Sequence, residues 1–234
     1  MSKIAVIGSK GYVGSALFEE LGENGDHIVI GVTRENYAEM KAGQYDIIIN
    51  CAMPSGRFWA KNNPEKDFIE TVEKTANLVY GWKYKKFVQI SSVSARCQLD
   101  TVYGRHKSAA EDVCNFGENL IIRLGALYSN DMKKGVILDM LQGKKVFVDR
   151  ESRYSFISLS FCVAWIVTNF DNQGIVEIGG KNAIALNDVA KHMQTNIKFE
   201  GEINHLDIKN EKDILPEATD VLSFVDQFFL NTKK

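Results

Sequence analysis

Several features that mark particular classes of protein are scarce in this sequence. Only three of its 234 residues are proline, and 28 lysines and arginines face 30 aspartates and glutamates, which leaves a formal net charge of −2. A chain without a basic excess carries no electrostatic sign of binding nucleic acid or an anionic membrane. No apolar run approaches the roughly 20 residues that a membrane helix needs. The sequence therefore predicts a globular protein with neither nucleic acid nor membrane as a partner.

Cysteine is also too scarce to define a scaffold. The four cysteines form no C-x-x-C pair, and no metal-ligand spacing occurs among His, Cys, Asp and Glu. We therefore expect free thiols in a cytoplasmic protein and no metal site. The start, MSKIAVIGSKG, turns into a glycine loop after one short apolar run, so it predicts no secretory signal.

Strand and helix patterns alternate through the first 125 residues or so. Strands are predicted at 3–7, 27–32, 46–51, 86–90 and 119–123, and helices at 12–24, 64–83 and 101–116. This alternation predicts an α/β fold, with a Rossmann-type doubly wound parallel sheet. The remainder is less regular, with helices predicted at 133–142, 160–170, 186–195 and 219–230 and strands at 145–148 and 175–178. We expect a core over 1–128 and a small carboxyl-terminal substrate lobe over 129–234, packed as one compact unit.

Three glycines follow the first predicted strand and open the first predicted helix. Gly8, Gly11 and Gly14 have the spacing G-x-x-G-x-x-G. Glycine allows a tight turn and lets the backbone approach a ligand closely. A pyrophosphate can then bind the positive end of the helix. The position after a strand and before a helix favours a dinucleotide site over a plain turn.

The end of the second predicted strand bears on which dinucleotide binds. An Asp or Glu there would bind the ribose 2′-hydroxyl of NAD, whereas this chain has Thr33 and Arg34. An arginine suits a 2′-phosphate through paired charge-assisted hydrogen bonds, and Lys10 in the glycine loop adds a second cation. These residues favour NADP over NAD. Glu35 leaves the NAD alternative open.

Tyr103 and Lys107 lie four residues apart on a predicted helix, and therefore on one face of it. A tyrosine with a pKa of about 10 is a poor acid–base catalyst near neutrality, and a nearby ammonium group lowers that pKa. The hydroxyl of Ser92, at the end of a predicted strand, can hydrogen-bond a substrate oxygen. Together these residues predict a Ser-Tyr-Lys catalytic set.

The order of these motifs carries a family resemblance. The glycine loop, YDIIINCA, FVQISS and YGRHKSAAED follow one another as in the short-chain dehydrogenase/reductases. More narrowly, the chain resembles their extended branch, the NAD(P)-dependent epimerase/dehydratase family, which acts mostly on nucleotide sugars. The specific motifs run from Lys3 to about Tyr128.

The resemblance implies roles for individual residues. Ser92, Tyr103 and Lys107 would be catalytic, with Ser91 as a fallback for Ser92, and Ser92, Arg57 and Arg153 would contact the substrate. The implied cofactor-binding set is Gly8, Ser9, Lys10, Gly11, Tyr12, Val13, Gly14, Thr33, Arg34, Cys51, Ala52, Met53, Ile90, Ser91, Tyr103, Lys107 and Leu124.

The resemblance also implies a function. We expect an NADP(H)-dependent reductase of a keto group on a nucleotide-activated sugar, of the 4-keto-6-deoxy type. An NAD-dependent nucleotide-sugar epimerase is the enzymatic alternative, because it needs the same three residues. A non-catalytic dinucleotide-binding sensor or partner protein is the other, since the substrate lobe is short and Ala126 replaces a common family Asn. A homodimer through the helices at 62–83 and 101–116 is implied by resemblance only.

Overall fold

The computed structural model describes residues 1–209 and 214–232 of this α/β protein. Its strands are β1 Ser2–Ile7, β2 His27–Val32, β3 Gln44–Asn50, β4 Lys83–Ser92, β5 Leu120–Leu124, β6 Ala126–Tyr128, β7 Arg153–Tyr154, β8 Phe156–Ser158, β9 Gly174–Ile178 and β10 Ile184–Ala185. Its α-helices are α1 Tyr12–Glu23, α2 Tyr37–Met40, α3 Arg57–Asn62, α4 Pro64–Phe68, α5 Lys74–Gly81, α6 Ser94–Cys97, α7 Val102–Cys114, α8 Val136–Leu141, α9 Leu159–Asn169, α10 Leu186–His192 and α11 Asp220–Thr232. A π-helical turn, Ile69–Glu73, separates α4 from α5.

Six of the described strands form one sheet in the order β2-β1-β3-β4-β5-β9. β1 pairs in parallel with both β2 and β3, and β3 pairs in parallel with β4. The chain passes from β1 outward to β2 and then returns across β1 to β3, so the winding direction reverses between β1 and β3. Ligands of doubly wound folds bind at the carboxyl ends of the strands at such a reversal. The predicted fold class is confirmed.

Contacts divide the chain into two compact units. The first contains residues 1–123 and 163–176, and the second contains 124–162 and 177–234. Residues 163–176, which the sequence analysis groups with the substrate lobe, thus lie in the first unit. A core cluster of the first unit consists of Ala5, Ile7, Val32, Tyr45, Ile48, Leu78, Val79, Trp82, Phe87, Cys114 and Ile121. The second unit has a cluster of its own that includes Ile137, Met140, Phe156, Leu186, Val189, Val221 and Val225.

Two predicted elements are wrong in detail. The helix predicted at 64–83 is interrupted by the π-helical turn and ends at Gly81, because parallel pairing with β3 extends β4 back to Lys83. The strand predicted at 145–148 does not form, since Val146 makes only an isolated bridge with Phe199 and Phe147 is exposed.

Within the described ranges, no helix combines the length and hydrophobicity that crossing a bilayer requires. The same residues contain no cluster of three or more His, Cys, Asp or Glu side chains that could hold a metal ion.

Candidate functional site

The glycine loop is a tight turn between β1 and α1, at the carboxyl ends of β1 and β2. Gly8 has a φ of +80°, in the left-handed region that glycine adopts without strain. The Gly8 N–H donates to the Val32 carbonyl at 2.8 Å, and the Gly8 carbonyl accepts from the Gly11 N–H at 2.8 Å. These bonds hold the turn between the ends of β1 and β2.

Gly14 allows the first turn of α1 to pack against this loop. A Cβ atom at Gly14 would lie 2.2 Å from the Gly8 carbonyl oxygen and 3.3 Å from the Cβ of Cys51. A Cβ atom at Gly8 would in turn lie 2.9 Å from the Cα of Ala52. Backbone atoms therefore occupy the space that a side chain would need at either position, and α1 stands directly over the ends of β1 and β3.

The amino end of α1 fits the pyrophosphate of a dinucleotide. Gly11, the residue before the helix, is extended, and no side chain among the described residues caps it. The first N–H groups of a helix lack partners within it and bind anions well. Ser9, Lys10, Tyr12 and Val13 surround this end, and the side chain of Lys10 is 78% exposed. The residues present therefore suit the cofactor predicted from the sequence.

An Asn36 side chain shapes the segment after β2. Its Oδ1 accepts from the Thr33 N–H at 2.7 Å, and its Nδ2 donates to the Gly31 carbonyl at 3.0 Å. The Thr33 hydroxyl donates to the Glu35 carboxylate, which also pairs with Lys10 at 3.5 Å. The hydrogen bond from Thr33 lowers the pKa of Glu35 most, followed by a backbone hydrogen bond to Glu35 and then by the charge of Lys10. Arg34 is 88% exposed, with Glu70 3.8 Å away.

At the end of β3, the buried Asn50 holds the chain where it leaves the sheet. Asn50 Nδ2 donates to Gln89 Oε1 on β4 at 3.1 Å, and Asn50 Oδ1 accepts from the Ala52 N–H at 3.1 Å. Gln89 in turn donates to the Met53 sulfur at 3.1 Å. These contacts place Cys51, Ala52 and Met53 beside the glycine loop. Sequence reasoning missed Asn50, although an amide inside the apolar run DIIINCA was a signal.

Tyr103, Lys107 and Ser92 lie close together where β4 ends and α7 begins. The Thr101 hydroxyl accepts from the Gly104 N–H at 3.0 Å and so caps the start of α7. Ser92, the last residue of β4 after Ile90 and Ser91, accepts from the Ser94 N–H at 3.2 Å, and its hydroxyl is near enough to Tyr103 to lower the pKa of that phenol. The Lys107 ammonium stands over the Tyr103 ring, 5.2 Å from its centroid. Both helix residues are buried, at 8% and 3% exposure.

Burial dominates the acidity of Tyr103. It raises the pKa of Tyr103 to about 12, because the phenolate would lose its hydration. The Ser92 hydrogen bond and the positive charge of Arg57 lower this pKa, and the negative charge of Asp67 raises it. The role that the sequence analysis gave Lys107, to lower this pKa, stays a prediction. Tyr103 is therefore a neutral phenol at pH 7, the form that can donate a proton.

His106, on the turn of α7 after Tyr103, forms a pair that the sequence analysis did not expect. Its Nδ1 lies 2.7 Å from Asp67 Oδ2, and its side chain is only 18% exposed. Asp67 on α4 is 1% exposed. The sequence pattern predicted a helix over 64–83, but nothing in that pattern indicated that Asp67 would be buried.

Two predicted site residues belong to the second unit. Leu124 ends β5 and is buried. Arg153 begins β7, where its side chain donates to the Ala183 carbonyl at 2.7 Å and its N–H donates to His205 Nδ1 at 3.1 Å. Their roles stay predictions.

Comparison with known proteins agrees with the fold and with the motifs. Residues 4–119 match the NAD dependent epimerase/dehydratase family. A search of curated proteins found no match.

Solved structures of similar fold include both epimerases and reductases. The UDP-glucose 4-epimerase of Thermotoga maritima, solved with UDP-glucose, has a TM-score of 0.78 at 16% identity, over 99% of this chain and 100% of that one. The dTDP-4-dehydrorhamnose reductase of Bacillus anthracis, solved with NADP, has a TM-score of 0.75 at 14% identity, over 99% and 100%. The UDP-glucuronic acid 4-epimerase of Bacillus cereus, solved with NAD, has a TM-score of 0.69 at 17% identity, over 97% and 99%.

The contact between Gly14 and Gly8 predicts an unusual response to alanine. Intrinsic helix propensity favours Ala over Gly by about 1 kcal/mol. Gly14→Ala should nevertheless destabilise the protein and weaken nicotinamide dinucleotide binding, because its Cβ would meet the Gly8 carbonyl. Urea unfolding and cofactor fluorescence would measure both effects.

Gly22→Ala is the matched control on the same helix, since a Cβ there meets nothing within 4 Å. It should raise stability by roughly 0.5–1 kcal/mol and leave cofactor binding unchanged. Equal responses at the two positions would contradict the proposed packing.

Proposed function

We propose that this chain, whose residues 4–119 match the NAD dependent epimerase/dehydratase family, is an NADP(H)-dependent reductase of a keto group on a nucleotide-activated sugar. The observation that carries the proposal is the buried Tyr103, hydrogen-bonded to Ser92 and kept neutral at pH 7. A neutral phenol is the form that a carbonyl reduction consumes. The presence of dTDP-4-dehydrorhamnose reductases among the similar structures supports a 4-keto-6-deoxy substrate.

The mechanism assigns a task to each residue. A bound nicotinamide dinucleotide would supply the hydride for the carbonyl carbon. Ser92 would donate a hydrogen bond to the carbonyl oxygen and orient it. Tyr103 would give its phenolic proton to that oxygen as negative charge develops there, so the keto group becomes an alcohol. Lys107 would stabilise the resulting phenolate and hold the nicotinamide ribose.

Arg57 would add positive charge to this process. It is half-buried at the start of α3, and its charge favours the Tyr103 phenolate. It would also attract an anionic substrate, as the sequence analysis expected.

An epimerase is the second candidate, supported by the UDP-sugar 4-epimerases among the similar structures. It would use the same three catalytic residues but return the hydride to the same substrate. A reductase consumes one NADPH per product, whereas an epimerase consumes none. A non-catalytic dinucleotide-binding protein would show no turnover at all.

Tyr103→Phe tests the catalytic assignment. A positioned general acid contributes about 10²–10⁴ in rate, so turnover of a keto-sugar nucleotide should fall by that factor. NADPH binding, measured by fluorescence titration, should change less than about twofold because the ring and its packing remain. Turnover that survives this substitution would contradict the proposal, and parallel loss of cofactor binding would indicate misfolding.

Arg34→Ala tests the choice of cofactor. Hydrogen bonds to charged groups contribute about 1.5–3 kcal/mol, so the NADPH Kd should rise roughly 10- to 100-fold. The NADH Kd should hardly change, because NADH lacks the 2′-phosphate. The matched control is Arg105→Ala, an exposed arginine on α7 whose side chain donates to the Leu99 and Asp100 carbonyls. A wild-type preference for NADH would contradict the NADP assignment and favour the epimerase.

We further propose a homodimer through the helices around α3, α4 and α7. Large apolar side chains are exposed on this segment, with Phe58 at 81%, Phe68 at 47% and Ile69 at 45%. Phe58→Glu should therefore convert a dimer to a monomer at micromolar concentration in light scattering. Phe147→Glu, at another exposed phenylalanine (74%), should leave the mass unchanged. A wild-type monomer would contradict the dimer.

A further inference from the structure

Two consecutive serines end β4, and each is bonded to a side chain of α7. Ser92 accepts from the Ser94 N–H at 3.2 Å, and its hydroxyl also acts on Tyr103, in the first turn of the helix. Ser91 donates to Glu111 Oε1 at 2.6 Å, two turns further along. The helix therefore contacts the end of this strand at two points, one inside the proposed catalytic set and one outside it.

The second contact is held rigidly. Glu111 is 2% exposed, and a buried carboxylate is costly unless it is paired. Arg123 on β5 supplies the pairing, because its Nε lies 3.0 Å from both Glu111 oxygens and its Nη2 lies 2.6 Å from Oε2. This two-pronged geometry is the strongest that a carboxylate makes with an arginine. Glu111 thus links α7 to two neighbouring strands at once.

Helix geometry connects Glu111 to the catalytic residues. Tyr103, Lys107 and Glu111 are spaced by four residues and form one buried stripe along α7. At the start of the helix, a Cβ on Gly104 would lie 2.0 Å from the Gln98 carbonyl oxygen, so the chain is tightly packed there as well. Anchored at both places, α7 cannot slide along β4 without breaking a buried polar contact.

We propose that Glu111 is a positioning residue, which fixes Ser91 and thereby aims the Ser92 hydroxyl at Tyr103. This inference rests on the proposed function for its effect on catalysis, but not for its geometry. Arg123 compensates the charge of Glu111. The proposed role of Glu111 is therefore to hold the end of β4 in place and not to act on Tyr103 through its charge. The sequence analysis gave Ser91 two roles, as a fallback for Ser92 and as a cofactor contact, whereas in the structure its hydroxyl donates to Glu111.

The test compares Ser91→Ala with Ser92→Ala in protein labelled with ¹³C at the tyrosine ζ carbon. Ser91→Ala removes one hydroxyl and leaves the Glu111–Arg123 pair in place. The Tyr103 resonance, identified by its absence in Tyr103→Phe, reports the hydrogen bond at the phenol. We expect Ser91→Ala to shift this resonance in the same direction as Ser92→Ala, and Ser91→Thr, which keeps a hydroxyl, to restore it. Ser160→Ala, at an exposed serine of α9, is the control.

Catalysis provides the second measurement. Small misplacements of reacting groups reduce rates strongly, so Ser91→Ala should lower kcat by about tenfold. The KM for the keto-sugar substrate should stay within about twofold, because Ser92 remains present. Glu111→Gln keeps an oxygen that can accept from Ser91 and should retain the Tyr103 resonance.

The two measurements separate the two proposals. The resonance needs neither cofactor nor substrate, so it tests the positioning role even if NADPH does not bind. An unshifted Tyr103 signal in Ser91→Ala, with Ser92→Ala shifted, would overturn the inference even if stability fell. If Ser91→Ala shifts the Tyr103 signal but the wild-type protein binds no dinucleotide, the result would support the inference and count against the proposed function.

Discussion

The approach of α1 to the ends of β1 and β3 is the constraint on which the rest of the site depends. At Gly14 the helix lies so close to the Gly8 carbonyl that no Cβ fits between them, and Gly8 itself lies against the backbone of Ala52. This closeness places the uncapped end of α1 at the point where the sheet reverses its winding. A longer turn would move the free N–H groups away from the strand ends, and the residues after β3 would no longer border the same space.

The site has its candidate phosphate-binding cations at the surface and its proposed catalytic residues in the interior. The cations for a phosphate, Lys10 and Arg34, are largely exposed, whereas Tyr103 and Lys107 are buried. Burial keeps the Tyr103 proton in place, and the nearby charges of Arg57 and Asp67 act in opposite directions on its release. Stability and chemistry are thus linked, because the packing that excludes water from the phenol also sets its acidity.

Sequence patterns predicted the features that depend on local chain properties. The glycine spacing and the i, i+4 pair on α7 follow from turn geometry and periodicity, and the carboxyl ends of the first five strands lie within two residues of their predicted positions. The hydrogen bonds between buried polar side chains could not be predicted from turn geometry or periodicity. Asn50, Asp67 and Glu111 contact residues 39, 39 and 20 positions away. Such contacts depend on which strands become neighbours, and a hydrophobic pattern does not encode that order. The failure of the strand at 145–148 has the same origin, since its pairing required a partner from residues near Phe199.

The charges after β2 bear on the choice of dinucleotide. Glu35 is bonded to Thr33 and Lys10, and its lowered pKa keeps it ionised at neutral pH. A 2′-phosphate bound by Lys10 and Arg34 would be repelled by that carboxylate. Yet the Lys10–Glu35 pair is largely exposed and screened by water, so the hydrogen bond from Thr33 is the contact that mainly keeps Glu35 in this position. Charge-assisted bonds to a phosphate are worth about 1.5–3 kcal/mol each. This balance supports NADP, and it identifies Glu35 as the residue that would have to dominate for NAD to be preferred.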